Sequence, residues 1–417
     1  MLFGRRAHAP AIEGRPGGDR RTIAGAIALL AVLAAGPALG TPVKVGEAVL
    51  EPVAFADLPG FAGDDLAAAL AAFRLSCAQP ARPVPADAAA DAPSQDLAAA
   101  CAAAAAADAP DARAFFTAHF APYRVTRPAR AAAAERQAGF LTGYFEPELP
   151  ASLEPSPEFS VPALARPDDL IVPEPGETLP GLEPGLRAGR RDGGRVVPYP
   201  DRAAIEDGAL GPRARPLLYL RDAVDLLVLQ VQGSGRVRLP DGRVLRLAYD
   251  GRNGRPYTSV ARLIVAEGHL PLEGLTLDRW TSWLRAHPDT ARRLIRRNAS
   301  YIFFRLETLP VAEGAATGPT GGGGTPLTPG RSLAVDAGLW RYGLPFWLAG
   351  RLPTPDGGSV PLARLVIAQD TGSAITGPAR GDLYLGTGTE AGIVGGLLRD
   401  PAGFVVLLPV PQAGTVR

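Results

Sequence analysis

The spacing of apolar and polar positions divides the chain into two textures. Residues 41–140 are alanine-rich, and segments 66–73, 96–107 and 111–120 predict helices, with a Pro/Ala linker near 80–95. From Gly139 onward short apolar runs alternate with Gly, Pro and Asp turns, which predicts strands. The run 226–232, Leu-Leu-Val-Leu-Gln-Val-Gln, predicts a buried strand. Segments 236–239 and 243–248 flank Asp241-Gly242 and predict a hairpin, because Asp-Gly tolerates positive φ. Residues 277–287 and 289–297 predict two helices, and Pro288 ends the first because it cannot continue the hydrogen-bond ladder. Strands are predicted again at 301–306, 364–368, 381–385 and 404–408. The glycine-rich stretch 314–329 reads as a flexible surface loop; Gly321 to Gly324 lacks the Gly-Lys-Ser/Thr of a phosphate loop. The order is a helical start, a β-rich middle, short helices and a β-rich end. It fits a mixed α+β protein with one or two β-barrels.

Composition narrows the function classes. A chain of 417 residues has room for two or three domains. Hydrophobic residues at 47% and charged residues at 20% supply a core and exclude a chain disordered throughout. The formal net charge of +1 gives no global electrostatic case for nucleic acid. Lys44 is the single lysine, a codon-bias signature that carries no functional weight. The 49 glycines and 43 prolines argue for many turns and against a helical bundle.

Residues 1–40 read as an export signal. A basic stretch holding Arg5, Arg6, Arg15, Arg20 and Arg21 precedes the apolar run 23–35, and Ala38-Leu39-Gly40 offers a cleavage site. The run is short for a membrane span, although an uncleaved anchor stays open. No cysteine follows it for lipid attachment, so the expectation is a soluble periplasmic protein. Cys77 and Cys101, 24 residues apart in an exported chain, predict one disulfide bracing a helical pair; two buried thiols are the alternative. His119, His269 and His287 are isolated, so neither a metal nor a cofactor is expected.

The densest polar constellation lies near the C-terminus: Asp336, Asp370 in Ala-Gln-Asp-Thr-Gly-Ser, and Asp382 in Arg-Gly-Asp-Leu-Tyr-Leu-Gly. Each carboxylate sits at the end or start of a short apolar strand beside glycine, where it can reach a bound polymer and be desolvated enough to act as an acid. Each also suits a plain turn. Asp370-Thr-Gly-Ser matches the four-residue signature of aspartic proteases. That chemistry needs two such aspartates, and this chain has one Asp-Thr-Gly with a polar Gln369 before it. An inverting glycosidase pairing Asp370 with Asp382 is another reading.

Seven segments in order resemble the lytic murein transglycosylase A family with its three-aspartate domain. They lie at 139–147, 197–210, 230–239, 251–259, 298–304, 326–336 and 368–388; the N-terminal hundred residues match more loosely, through 72–77. The resemblance implies a double-psi β-barrel with an inserted second β-barrel-like domain and a helical N-terminal region. The corresponding boundaries are a signal at 1–40, a helical first part at 41–138, the insert at 139–260, and the barrel's return at 261–417. It implies cleavage of the β-1,4 bond between N-acetylmuramic acid and N-acetylglucosamine in peptidoglycan, with a 1,6-anhydro product. Carried over by motif, Asp382 is the acid/base, Asp370 an orienting or charge-stabilising neighbour and Asp336 a supporting group. Tyr144, Glu146, Gln232, Ser234 and Tyr257 are implied groove residues. Ser373 and Ala261 stand where the family prefers glycine. The expected partner is the glycan strand, cleaved by a monomer, with cell-wall machinery proteins as further candidates. The readings left open are the inverting glycosidase and a non-catalytic glycan-binding protein.

Overall fold

The computed structural model describes residues 42–45, 48–80, 96–106, 111–126, 138–173, 182, 186–309 and 318–410. The predicted signal and most of the predicted linker lie outside them. The N-terminal part contributes strands as well as helices: β1 (Val43–Val45) and β2 (Ala48–Pro52) precede helices Leu66–Cys77, Ala98–Ala106 and Ala112–His119, and β3 (Phe120–Thr126) and β4 (Gly139–Glu146) follow them. The chain then builds β5 (Glu148–Ser152), β6 (Val161–Leu164), β7 (Gly189–Asp192), β8 (Arg195–Pro198), β9 (Pro216–Leu220), β10 (Gly235–Arg238), β11 (Val244–Arg252) and β12 (Ile302–Thr308). It returns as β13 (Ser332–Ala334), β14 (Pro345–Pro353), β15 (Ser359–Asp370), β16 (Arg380–Thr387) and β17 (Arg399–Pro409).

Six of these strands close on themselves in the order β17, β14, β15, β13, β16, β4, because β4 pairs with both β16 and β17. Two neighbours run parallel, β13 with β15 and β4 with β16. This closed, mixed barrel is the double-psi β-barrel. Strands β3, β2 and β1 continue the sheet outward from β17. Closure leaves no free edge in the barrel proper, and the register puts Leu333, Phe346, Val366, Leu383 and Phe404 on its inner face. The apolar faces of the first helices join the same core through Leu70, Phe73 and Phe116. A disulfide links Cys77 to Cys101 and ties two of these helices together. Gln369, fully buried, anchors the first helix to the barrel: its amide donates to Ala72 O and Ser76 Oγ and accepts from Ser332 Oγ.

The second unit is a six-stranded sheet in the order β12, β11, β10, β5, β9, β6. It runs through Thr308, so the sequence-based end at residue 260 falls inside it. The hairpin of β10 and β11 around Asp241-Gly242 is present, with Gly242 at φ 86°. The predicted strand at 226–232 is instead part of helix Ala223–Gln232. Its side chains from Val224 to Gln230 are all buried, so no polar face reveals a helical period. The stops are legible in hindsight: Asp222 caps the first turn by accepting from Asp225 N, and Gly233 ends the helix at φ 87°.

Candidate active site

The barrel's pairing brings distant residues together. Ala334 on β13 is matched to Asp370 on β15 at one side and to Asp382 on β16 at the other. The two aspartates therefore flank one small residue, about 10 Å apart at two strand spacings. On the far side of β16, β4 places Phe140, Thr142 and Tyr144 opposite Arg380, Asp382 and Tyr384. Side chains two apart on a strand share a face, so Thr142 and Tyr144 point the same way as the carboxylates they serve.

Asp382 is part-buried. Thr142 Oγ1 donates to its Oδ1 at 2.6 Å, and Arg380 Nη2 donates to that same Thr142 oxygen at 2.8 Å. Burial pushes the Asp382 carboxyl up to about 6; the Thr142 hydrogen bond and Arg380 pull it down, and Asp370 adds to the rise. Asp370 is held by three donors: Tyr144 Oη to Oδ2, and the amides of Gly322 and Thr371 to Oδ1, each at 2.8 Å. Burial lifts its carboxyl above the ordinary range, and these donors oppose the lift. The Tyr144 phenol is pushed well up by burial and by Asp370, so it stays a donor.

The loop predicted to be a free surface segment is part of this site. From Pro319 to Leu327 alternate residues are buried, and Gly322 and Gly323 donate to Asp370 Oδ1 and Gln369 O. A side chain at Gly321 would put its Cβ 2.6 Å from Gln369 O, so glycine is what lets the backbone come this close. Residues 310–317 lie outside the described residues. The turn Thr371 to Ala374, which includes Ser373, is exposed and leaves the site open on that side.

The other predicted residues distribute unevenly. Asp336 accepts from the amides of Gly338 and Gly377, and so pins the loop that follows Asp370; no direct contact joins it to Asp370 or Asp382 among the described residues. Gln232 is part-buried, and its Oε1 accepts from Phe145 N, beside Tyr144. Ser234 is buried. Tyr257 is exposed in the second unit and pairs with Ser259 rather than with the aspartates. Glu146 is 0% exposed and cannot line a groove. It is clamped by Arg236 at 2.9 Å and Arg246 at 2.5 Å and accepts from Thr387. The reason is its position as the last residue of β4, where the chain passes into the second sheet. Asp370 faces Tyr144 rather than a second Asp-Thr-Gly, so the aspartic-protease arrangement is not formed. Among the described residues no cluster of three or more His, Cys, Asp or Glu is arranged to hold a metal ion. Sequence reasoning passed over Thr142 and Arg380. Arg380 was findable, because it lies two residues before Asp382 on the same strand face.

Comparisons agree with this architecture. Residues 140–305 match the family model described as MltA specific insert domain, and residues 331–408 match the 3D domain. The membrane-bound lytic murein transglycosylase A of Vibrio cholerae is 32% identical over 201 residues, 47% of this chain and 52% of that protein. Its counterpart in Escherichia coli K12 is 31% identical over 224 residues, 52% of this chain and 58% of that protein. The matched stretch thus spans about half the length of these curated relatives. The crystal structure of membrane-bound lytic murein transglycosylase from Agrobacterium tumefaciens is 33% identical and superposes with a TM-score of 0.73, covering 86% of this chain and 97% of that one. MltA from Neisseria gonorrhoeae gives 0.70 at 32% identity, covering 90% and 96%.

Proposed function

This chain belongs to the lytic murein transglycosylase A family, and we propose that it cleaves the β-1,4 bond between N-acetylmuramic acid and N-acetylglucosamine in peptidoglycan, with Asp382 as the one acid/base. The observation that carries this reading is a part-buried carboxyl lifted to about 6 and held by a threonine hydroxyl. Such a group holds its proton to near-neutral pH and still becomes a competent base once the proton has gone. The protonated acid protonates the glycosidic oxygen as the C1–O bond breaks. The resulting carboxylate takes the proton from the C6 hydroxyl of the same muramic ring, whose oxygen closes on C1. The nucleophile is part of the substrate, so no water has to be positioned.

Asp370 suits an electrostatic role in this scheme. Both of its oxygens already accept hydrogen bonds, three in all, which favours the anion. In its ionised form Asp370 would stabilise a developing oxocarbenium ion nearby. The same engagement argues against Asp370 as the base of an inverting glycosidase, which would need a free oxygen facing a water. Gln232, Ser234 and Tyr257 are the remaining candidates for sugar contacts from the second unit, and Asp336 shapes the loop beside Asp370. The periplasm is the fitting location, from the export-signal character of residues 1–40. Among the described residues no helix is long and apolar enough to cross a membrane.

Digestion of purified sacculi with mass analysis of the products tests the reading. Anhydro ends, one water lighter than reducing ends, are expected. Reducing ends would replace the transglycosylase by a glycosidase, and binding without soluble products would replace both by a glycan-binding role.

A further inference from the structure

Among the described residues Arg380 forms no ion pair with a carboxylate. Its guanidinium lies over the Phe140 ring, 5.5 Å from the centroid; one terminal nitrogen donates to Gly381 O and the other to Thr142 Oγ1. Three contacts of different kinds thus hold a part-buried cation in one orientation, with its remaining reach directed at the hydroxyl that serves Asp382. A guanidinium only donates, so Thr142 Oγ1 must accept from it. A hydroxyl that accepts from a cation is polarised and donates its own hydrogen more strongly. That hydrogen goes to Asp382 Oδ1 at 2.6 Å.

We propose that Arg380 is a positioning residue that acts on Asp382 through the Thr142 hydroxyl, committing Oδ1 to accepting a hydrogen bond so that the transferable proton sits on Oδ2. The inference rests on the reading of Asp382 as the acid/base and adds to it the device that selects which oxygen works and over what pH range. In the acid form, Oδ2 carries the proton toward the glycosidic oxygen. After transfer, Oδ1 keeps the Thr142 hydrogen bond, and Oδ2 is the oxygen left to take the C6 hydroxyl proton. Proton and charge return to their starting places in each cycle.

The variants Arg380→Met and Arg380→Lys test this in the full chain. Methionine keeps apolar contact with Phe140 and removes the donors; lysine restores one donor and the charge. The readouts are the titration of the Asp382 carboxyl by ¹³C NMR, assigned by difference from Asp382→Asn, and the pH profile of kcat/KM on glycan strands. Losing the cation and the polarised hydroxyl raises the proton affinity of the carboxylate. In Arg380→Met both the titration and the alkaline limb of the profile are expected to move up by about one pH unit. Turnover should fall about tenfold with KM nearly unchanged, and Arg380→Lys should recover most of both. In a Thr142→Val background, Arg380→Met should shift the titration by less than half as much. A wild-type titration in Arg380→Met, or an undiminished shift in the Thr142→Val background, overturns the proposal. The titration is read without substrate, so it still decides the question if the protein proves not to cut sacculi, an outcome that would sink the proposed function instead.

Discussion

Two carboxylates borne by one pair of strands have opposite characters. β4 carries Thr142, Tyr144 and Glu146 on one face, and β16 carries Asp382, Tyr384 and Thr387. At one end of this pair, Glu146 is fully buried against two guanidiniums and a threonine hydroxyl. At the other, Asp382 accepts from one hydroxyl, and its nearby cation, Arg380, hydrogen-bonds that hydroxyl rather than the carboxylate. Two direct guanidinium contacts make the Glu146 carboxylate a structural tie between the barrel and the second sheet. One indirect cation leaves a carboxylate whose burial is undercompensated, and whose proton is therefore available near neutral pH. The same strand geometry thus builds a structural clamp and the carboxyl proposed to transfer the proton, and what separates them is the number and distance of the positive partners.

Exchanging the character of each carboxylate breaks the comparison most directly. Asp382→Asn keeps an acceptor for Thr142 but carries no transferable proton. Glycan-strand cleavage should fall by about 10³-fold or more, with binding of intact sacculi retained. Near-normal turnover in this variant would remove Asp382 from the chemistry. Glu146→Gln should do the reverse. It leaves Arg236 and Arg246 facing a neutral amide in a buried site, a loss of about 3–5 kcal/mol of stability. Denaturant unfolding at neutral pH measures it, and a change under about 1 kcal/mol would show that the clamp is not what holds the two sheets together.

The comparison also explains what the sequence could and could not show. The hairpin at Asp241-Gly242 and the cysteine pair are local patterns, readable from a few residues and their spacing. Asp370 and Asp382 were legible through motifs that belong to one contiguous domain. Their partners were not. Thr142 lies 240 residues before Asp382, and only the parallel pairing of β4 with β16 makes them neighbours. Gly322 is hidden in the same way, since a glycine-rich stretch looks like a free loop until Asp370 is seen accepting from it. Glu146 misled because the family motif that implied it, at 139–147, runs past the groove side of β4 to the strand's last residue. The sequence pattern carries the face but not the point where β4 ends and the second sheet takes over. Helix Ala223–Gln232 misled for a different reason: burial on all sides erased the period by which helices are recognised.

The smallest expected effect sharpens the contrast through stability rather than activity. In the folded chain Asp382 titrates at about 6, whereas in the unfolded chain it should titrate at about 3.9. Below about pH 4 the group is protonated in both states and contributes no difference. As pH rises from about 4 to about 6, the unfolded state releases its proton first, so the folded state loses relative stability, and above about 6 the loss is complete. Two units would correspond to nearly 3 kcal/mol, and the residual solvent contact of the carboxyl reduces this to about 1–2 kcal/mol. Asp382→Asn has no proton to hold and escapes the loss. Its stability relative to wild type should be flat below about pH 4, climb between about pH 4 and 6, and level off about 1–2 kcal/mol higher. Thermal or denaturant melts of both proteins across that range read the climb, and any fixed effect of the amide appears only as an offset. A difference that stays level from pH 4 to 7 would mean that Asp382 releases its proton as easily folded as unfolded. The contrast with Glu146 would then rest on burial alone, with no raised proton affinity at Asp382.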